Sequence, residues 1–380
     1  MKYLELRNKI ENFSKFQGTQ KIPHSLIVNK GFPGNFNISF GEGPFLEKFG
    51  NYLDNSEAYN FSTIQQVIRV NDFNDAMDDT HLLLFDMADV SGFIGGKDIA
   101  DEQRKDIADF TIRKIFEFLI NELGLEPKRF VISYLSGGKA EEITAGKYKF
   151  DKNIEADPFI GIAKEFGINE EQFIPDKTRT TLLALNFTPP VAWGYRNEIL
   201  YKTDNLSEPL DIASIENLLW RPIYENDTVV DLVRWENFWS FSVVGLERLL
   251  MLVNNSDKAY EADHIMPLIT KFSEITGSSD VQLCRVTMEL LRVFHRIVAD
   301  MKTFSVVSDS RKEKLIPFRR KFLQNCEKIG FDYAHGLKDL LIFNAELQPC
   351  YPELLSNIDS QANELIEWIG RGQIFVKNKK

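Results

Sequence analysis

The sequence predicts an α+β protein in which an antiparallel sheet with packed helices is followed by a helical unit. Three observations carry that expectation. Strand-like and helix-like stretches mix through the first 255 residues without the steady βαβ rhythm of a doubly wound sheet. Beyond Val253 the apolar spacing turns helical, as over 286–298, 315–326 and 354–369. The chain has 380 residues, more than one hydrophobic core usually supports, so two units are expected, 1–255 and 256–380.

Taken in order, Leu6, Ile10 and Phe13 stand at helical spacing ahead of Gly18, a natural stop. From 22 to 45, short apolar runs are broken by Pro23, Gly31, Pro33, Gly34, Gly41, Gly43 and Pro44, the chemistry of strands and turns. Residues 66–70 and 80–88 flank the polar stretch 71–79 and predict two antiparallel strands joined by a long loop. Ile107, Phe110, Ile115, Leu119 and Leu123 predict a helix over 106–123, closed by Gly124 in a left-handed cap. A strand is expected over 130–135. Asp157 with Pro158 opens a short helix that Gly167 ends. Further strands are expected over 181–187, 198–201 and 228–233.

The balance of 43% hydrophobic and 27% charged residues is that of a folded protein rather than a disordered one. Charges interrupt the N-terminal stretch, and no apolar run is long enough to span a bilayer, so no membrane partner and a cytoplasmic location are expected. Cys284, Cys326 and Cys350 lie far apart with no Cys-x-x-Cys spacing, so neither zinc nor a disulfide framework is expected. A formal charge of -11 disfavours broad attraction to nucleic acid.

Two local patterns carry chemistry. The first is Gln66-Val67-Ile68-Arg69, a loop, then His81-Leu82-Leu83-Leu84-Phe85-Asp86-Met87-Ala88-Asp89. An arginine on one strand beside an aromatic ring on its neighbour is suited to hold an α-phosphate while the ring stacks on adenine. The second is Val244-Gly245-Leu246-Glu247-Arg248, opening a helix. Glycine lets a nucleotide approach the backbone, and a planar guanidinium stacks on a base or pairs with phosphates.

At these residues the chain resembles a class II aminoacyl-tRNA synthetase. The Arg69 loop is similar to that class's second motif, and Gly245 to Arg248 to its third. Other stretches resemble alanyl-tRNA synthetase in chain order. Gln17 to Ser25 resembles the entry to the first motif, Leu84 to Met87 a Phe-Phe-Glu-Met strand, and Glu198-Ile199-Leu200-Tyr201 a Glu-Ile-Phe-Tyr strand. Ile297, Ala299 and Asp300, then Arg319-Arg320, then Tyr351-Pro352-Glu353-Leu354 resemble parts of its helical tRNA-recognition region.

The resemblance implies an antiparallel-sheet synthetase catalytic domain followed by an α-helical domain, in a chain that stops before the family's editing and C-terminal modules. It implies ATP and Mg²⁺ as cofactors and a carboxylate or amino acid as substrate. The acceptor is a tRNA, a carrier protein or a small amine, and a homodimer is expected because class II cores commonly pair. Arg69 and Arg248 are the implied catalytic residues, Arg69 on the α-phosphate and Arg248 opposite Phe85 on adenine. His81, Asp86, Met87 and Gly245 complete the ATP-binding set, with Asp86 where the family has Glu. Asn217, in Ile215-Glu216-Asn217-Leu218, matches the asparagine of Ile-Trp-Asn-Ile, a contact to the amino-acid substrate.

Departures mark the substrate end. The third motif begins Asp-x-Gly-x-Gly-Leu-Glu-Arg, and its aspartate grips an α-ammonium. Phe241 and Val243 occupy the aligned positions here, so they become substrate-binding candidates and L-alanine is expected to be a poor substrate. An arginine expected after the second loop aligns with Thr80. The loop carries Asp72, Asp75, Asp78 and Asp79 and no Lys or Arg, which repels an acceptor stem. The implied activity is acyl-adenylate formation and acyl transfer; the alternative is a catalytically silent paralogue that binds a nucleotide or amino acid.

Overall fold

A computed structural model describes residues 1–16, 18–29, 36, 58–73, 78–96, 98–148, 150–185, 192–226 and 228–371. Most of the strand-and-turn stretch expected over 22–45, the middle of the 71–79 loop and the end of the 181–187 strand lie outside these residues. Runs rich in Val, Ile, Phe and Trp build a nine-stranded sheet. Its strands, with a separate two-stranded ladder, are β1 (Gln20–Lys21), β2 (Ala58–Ile68), β3 (Leu84–Gly95), β4 (Phe130–Leu135), β5 (Gly138–Lys139), β6 (Asn153–Ile154), β7 (Phe173–Asp176), β8 (Leu182–Ala184), β9 (Trp193–Tyr201), β10 (Leu210–Glu225) and β11 (Thr228–Gly245). The order is β1-β2-β3-β11-β10-β9-β4-β7, with β8 on β9 and β5 paired to β6. The six strands from β2 to β4 in this order pair antiparallel. Among the described residues only the margins, β1 on β2 and β7 on β4, are parallel.

The strands are longer than the sequence suggests. β2 begins eight residues before the expected start at Gln66, and β11 runs 18 residues where six were expected. The reason is burial on both faces: Trp239, Phe241 and Val243 alternate with buried Ser240 and Ser242, and the serines blur an apolar pattern. β10, 16 residues long, escaped notice for the same reason, its Glu216 and Asn217 being polar yet buried. Glu225 pairs with Thr228 across a two-residue connection in which Asn226 takes φ 47°, the geometry of a tight hairpin. Gly194 is required where β9 meets β10, because a Cβ there would fall 1.9 Å from the Asn217 carbonyl oxygen.

Eight α-helices longer than one turn are described: α1 (Tyr3–Phe16), α2 (Asp101–Phe116), α3 (Leu246–Val253), α4 (Met266–Thr276), α5 (Val281–Met301), α6 (Asp309–Ile329), α7 (Tyr333–Glu346) and α8 (Ile358–Gly370). The helix expected over 106–123 begins earlier, with Asp101 and Glu102 in its first turn, and passes into a π-helical turn before Gly124 at φ 74°. The helix expected after Asp157 is 3₁₀, Ile160–Phe166, ended by left-handed Gly167. Leu84, Ala88 and Val90 of β3 share one apolar core with Leu290, Leu291 and Phe294 of α5, so sheet and helical region pack as one body of side chains. A second cluster, with Phe61, Ile94, Leu218, Trp239, Phe241 and Val243, covers the other face.

A buried polar junction ties the ends of the chain to β3. The Asp86 carboxylate accepts from Tyr3 Oη and Arg7 Nη1 of α1, and from Tyr351 Oη at 2.9 Å. Arg7 also donates to Tyr351 Oη at 3.0 Å. Burial, with Asp86 beside them, holds both phenols well above their usual pKa and so protonated. Beyond Tyr351, Glu353 pairs with Arg296 and with His24 (2.9 Å), and Arg296 reaches Asp300 at 2.9 Å. The Tyr351 to Leu354 stretch thus serves as an internal clamp. On α6, Arg311 and Arg319 are likewise committed: Arg311 donates to the Asn29 carbonyl and Arg319 to that of Trp368.

Asp86→Ala leaves Arg7 buried without its carboxylate and is expected to cost about 3–5 kcal/mol of stability. Tyr351→Phe removes the hydroxyl that donates to Asp86 and accepts from Arg7, and is expected to cost about 1.5–3 kcal/mol. Urea denaturation checks both; equal, small losses would contradict the junction.

Candidate functional site

The ends of β2, β3, β10 and β11 and the start of α3 surround a cavity of about 190 Å³. Arg69 follows β2, and its N–H still bonds the Leu83 carbonyl at 3.0 Å, which keeps it in register with β3. Its guanidinium carbon stands 5.9 Å from the Phe85 ring centre, and Nη2 lies 3.8 Å from Met87 Sδ. Phe85 and Met87 line the cavity because alternate residues of a strand share a face. Val243 and Gly245 contribute from β11. A Cβ on Gly245 would meet nothing within 4 Å, so the backbone is open on that side.

Gly245 is extended at φ -92° and starts α3, which places Arg248 in the first turn facing the same space. Arg248 Nη1 donates to Asp211, to its carbonyl at 2.7 Å and Oδ2 at 3.1 Å, and Nε to the Thr80 carbonyl at 3.3 Å. Its plane is therefore held. His81 lines the rim, its Nδ1 2.7 Å from Asp78 Oδ2. Arg196, on β9, also lines the cavity, with Nη2 3.4 Å from Glu198 and Nε 3.8 Å from Glu216. Sequence reading missed Arg196; the signal available was its spacing of two from Glu198, which puts both on one strand face.

Three expected contacts are corrected. Asp86 does not line the cavity: between Phe85 and Met87 it points to the opposite face, fully buried in the junction with Tyr3, Arg7 and Tyr351. Asn217 pairs in register with Ser240 and Tyr195, and its Oδ1 accepts from Ser240 Oγ at 2.8 Å. Its neighbour Glu216 shares the sheet face of Ser214 and Val243, opposite Phe241 and Arg196 across the ladder, but does not itself line the cavity. Phe241 lies two residues behind Val243 on the same face, buried between Phe61 and Trp239. It shapes the floor from beneath instead of touching the open space.

Burial pushes the Glu216 carboxyl up to about 7, against the pull of Arg196 and Arg69. Glu247 also borders the cavity. Burial and then Asp86 push it up to about 8, and its oxygens accept from the Asp86 N–H at 3.1 and 3.3 Å and meet His264 at 3.1 Å. Glu247 is therefore spent on the junction. The remaining arrangement, three arginines around an aromatic face and an open glycine, suits a phosphate-bearing ligand with a flat base.

No family model matches the chain. It is similar to the alanine–tRNA ligase of Porphyromonas gingivalis, 22% identical over 357 residues that cover 87% of this chain and 37% of that protein. It is also similar to the alanine–tRNA ligase of Nocardia farcinica, 27% identical over 123 residues, 30% of this chain and 14% of that protein. The chain thus spans well under half the length of either relative. Among solved structures, pyrrolysyl-tRNA synthetase from Desulfitobacterium hafniense matches 68% of this chain and 72% of its own at 14% identity and a TM-score of 0.35. By sequence, the chain is a class II aminoacyl-tRNA synthetase-like protein similar to alanine–tRNA ligases.

Proposed function

We propose that the protein is an ATP-dependent ligase that activates an amino acid or related carboxylate as an acyl-adenylate and passes the acyl group to an acceptor. The convergence of Arg69, Arg196 and Arg248 with Phe85 on one cavity carries this reading. A substrate carboxylate oxygen attacks the α-phosphorus of ATP, the bond to the β,γ-phosphates breaks, and pyrophosphate leaves. Arg69 neutralises charge developing at the α-phosphate, the step on which such catalysis depends. Arg248, fixed by Asp211 and the Thr80 carbonyl, is preorganised to cover one face of adenine while Phe85 covers the other. Gly245 admits the nucleotide, and His81 and Met87 border it.

Among the described residues no three His, Cys, Asp or Glu side chains cluster as a metal site. ATP would bring Mg²⁺ with its phosphate oxygens, as is common for this ion. Among the described residues no helix is long and apolar enough to cross a membrane, and the reading includes a cytoplasmic, homodimeric enzyme. The net charge of -11 favours a carrier protein or small amine over tRNA as acceptor. One observation supports a second reading, a catalytically silent binding paralogue. Thr80 stands where the resembled motif has arginine, and its hydroxyl bonds Asp78 at 3.1 Å, so one phosphate-facing cation is replaced.

Arg248→Ala is expected to weaken ATP binding by about 1–3 kcal/mol, roughly 5- to 150-fold, in isothermal titration. Unchanged affinity would remove Arg248 from the nucleotide site. Arg69→Ala is expected to abolish substrate-dependent pyrophosphate exchange while the thermal melt stays within a few degrees of wild type, since Arg69 is only partly buried and lies outside the apolar core. Normal exchange in that variant would make Arg69 structural.

A further inference from the structure

We infer that Arg285, on α5 of the helical region, is a positioning residue for the nucleotide cavity: from behind the rim it fixes the backbone of residues 79–83, to which Arg69 and Arg248 are both tied. The inference rests on the adenylate-forming reading and adds to it a residue that lies outside the sheet and does not line the cavity.

Residues 79–83 precede β3, which begins at Leu84, so their backbone groups must find partners outside its ladder. Thr80, His81 and Leu82 of this segment line the cavity. Three consecutive carbonyls are taken by three parts of the chain. That of Asp79 accepts from the Ala259 N–H at 2.8 Å, that of Thr80 from Arg248 Nε at 3.3 Å, and that of His81 from Arg285 Nη2 at 2.9 Å. Leu83 then donates its N–H to Glu289 Oε2 at 3.1 Å and accepts from the Arg69 N–H at 3.0 Å. Arg285 and Glu289 stand one turn apart on α5, so a single helix face grips the rim at two points.

Arg285 is fully buried. Its guanidinium carbon stands 4.4 Å from the Tyr260 ring centre, next to Ala259, and Nη1 reaches Gln282 Oε1 at 3.3 Å and lies 3.9 Å from Asp79 Oδ1. A buried cation is costly, and an apolar side chain would fill the same place on α5 without that cost. A planar guanidinium, however, meets a carbonyl with its edge and a ring with its face at once. Arg285 thereby joins the Ala259 turn to the His81 peptide. On one side of His81 lies the carbonyl that orients Arg248, and on the other the residue that keeps Arg69 in register. A shift of about 1 Å in an oriented site costs on the order of 100-fold in rate, even when its cause is remote from the chemistry.

The test compares the full-length wild type with Arg285→Met, Arg285→Lys and Asn325→Ala. The last removes the bond from Asn325 to Thr287 on the opposite face of α5 and serves as a stability control. Isothermal titration reads ATP affinity, pyrophosphate exchange separates the KM values for ATP and for the acid from kcat, and amide hydrogen exchange reads the rim. Arg285→Met is expected to weaken ATP binding and lower kcat by about 10- to 100-fold each, with the KM for the acid unchanged. The Leu83 and Ala259 amides should exchange about tenfold faster while those of β10 keep their protection. Arg285→Lys, which keeps a cationic donor, should lie between Met and wild type, and it carries the test should Arg285→Met fail to fold. Wild-type ATP affinity in the folded Arg285 variant overturns the inference and leaves the nucleotide cavity standing. So does an equal loss of affinity in Asn325→Ala, which would trace the effect to stability alone. Absence of ATP binding and of exchange in the wild type overturns the adenylate-forming reading and the inference together.

Discussion

The buried carboxylate of Asp86 is the point on which the rest of the molecule depends. Tyr3, Arg7 and Tyr351 hold it from opposite ends of the chain, and its own N–H is bonded to Glu247, the residue before Arg248. One residue thereby joins α1, β3, the start of α3 and the turn that leads to α8. Side chains alternate along a strand, so seating Asp86 on one face obliges Phe85 and Met87 onto the other. The cavity is the reverse side of a structural junction. Glu247 extends the same logic to α3, since its bonds to the Asp86 peptide and to His264 fix the helix turn from which Arg248 reaches out.

The fold class was legible because irregular mixing of strands and helices leaves few ways to build a layered domain. The strand lengths were not, since Ser240, Ser242, Glu216 and Asn217 are polar residues buried in strands. Arg69, His81, Phe85, Met87, Val243, Gly245 and Arg248 come together because they sit near strand ends, in the segment leading into β3 or in the first turn of α3, where spacing in sequence translates directly into position. Asp86 and Asn217 were misplaced for one shared reason. A motif read as a string assigns neighbouring residues to one site, whereas a strand sends Phe85 and Asp86, or Glu216 and Asn217, to opposite faces. Arg196 carried no motif of its own; its spacing from Glu198 hints at it, and register with Glu216 places it.

Net charge and local field point in different directions here. The chain carries -11 overall, which opposes long-range capture of a polyanion. Inside the cavity, three guanidinium groups face a space with low-dielectric walls, where short-range attraction is much less screened than at the surface. The acids nearest them are already engaged or partly neutral. Asp211 holds Arg248, Glu247 serves the junction, and Glu216 is poised near neutrality by its burial. A small anionic ligand is favoured at the site while a large nucleic acid gains little from the rest of the surface.

The pairing of Glu216 with Phe241 explains a departure that looked like a loss. Against the motifs the chain resembles, Phe241 stands in place of Asp and Glu216 in place of Trp, and the register sets these positions face to face on β10 and β11. An acid and an aromatic ring have thus changed places across one strand pair. Directly opposed side chains on a sheet face are packed as a unit, so such an exchange keeps both the volume and the charge of the floor. The acid moves sideways by one interstrand step, about 4.5–5.5 Å between Cα atoms, and comes to rest beside Arg196. The ring fills the place it vacated and packs between Phe61 and Trp239. The exchange leaves Arg69, Phe85 and Arg248 where the junction at Asp86 holds them.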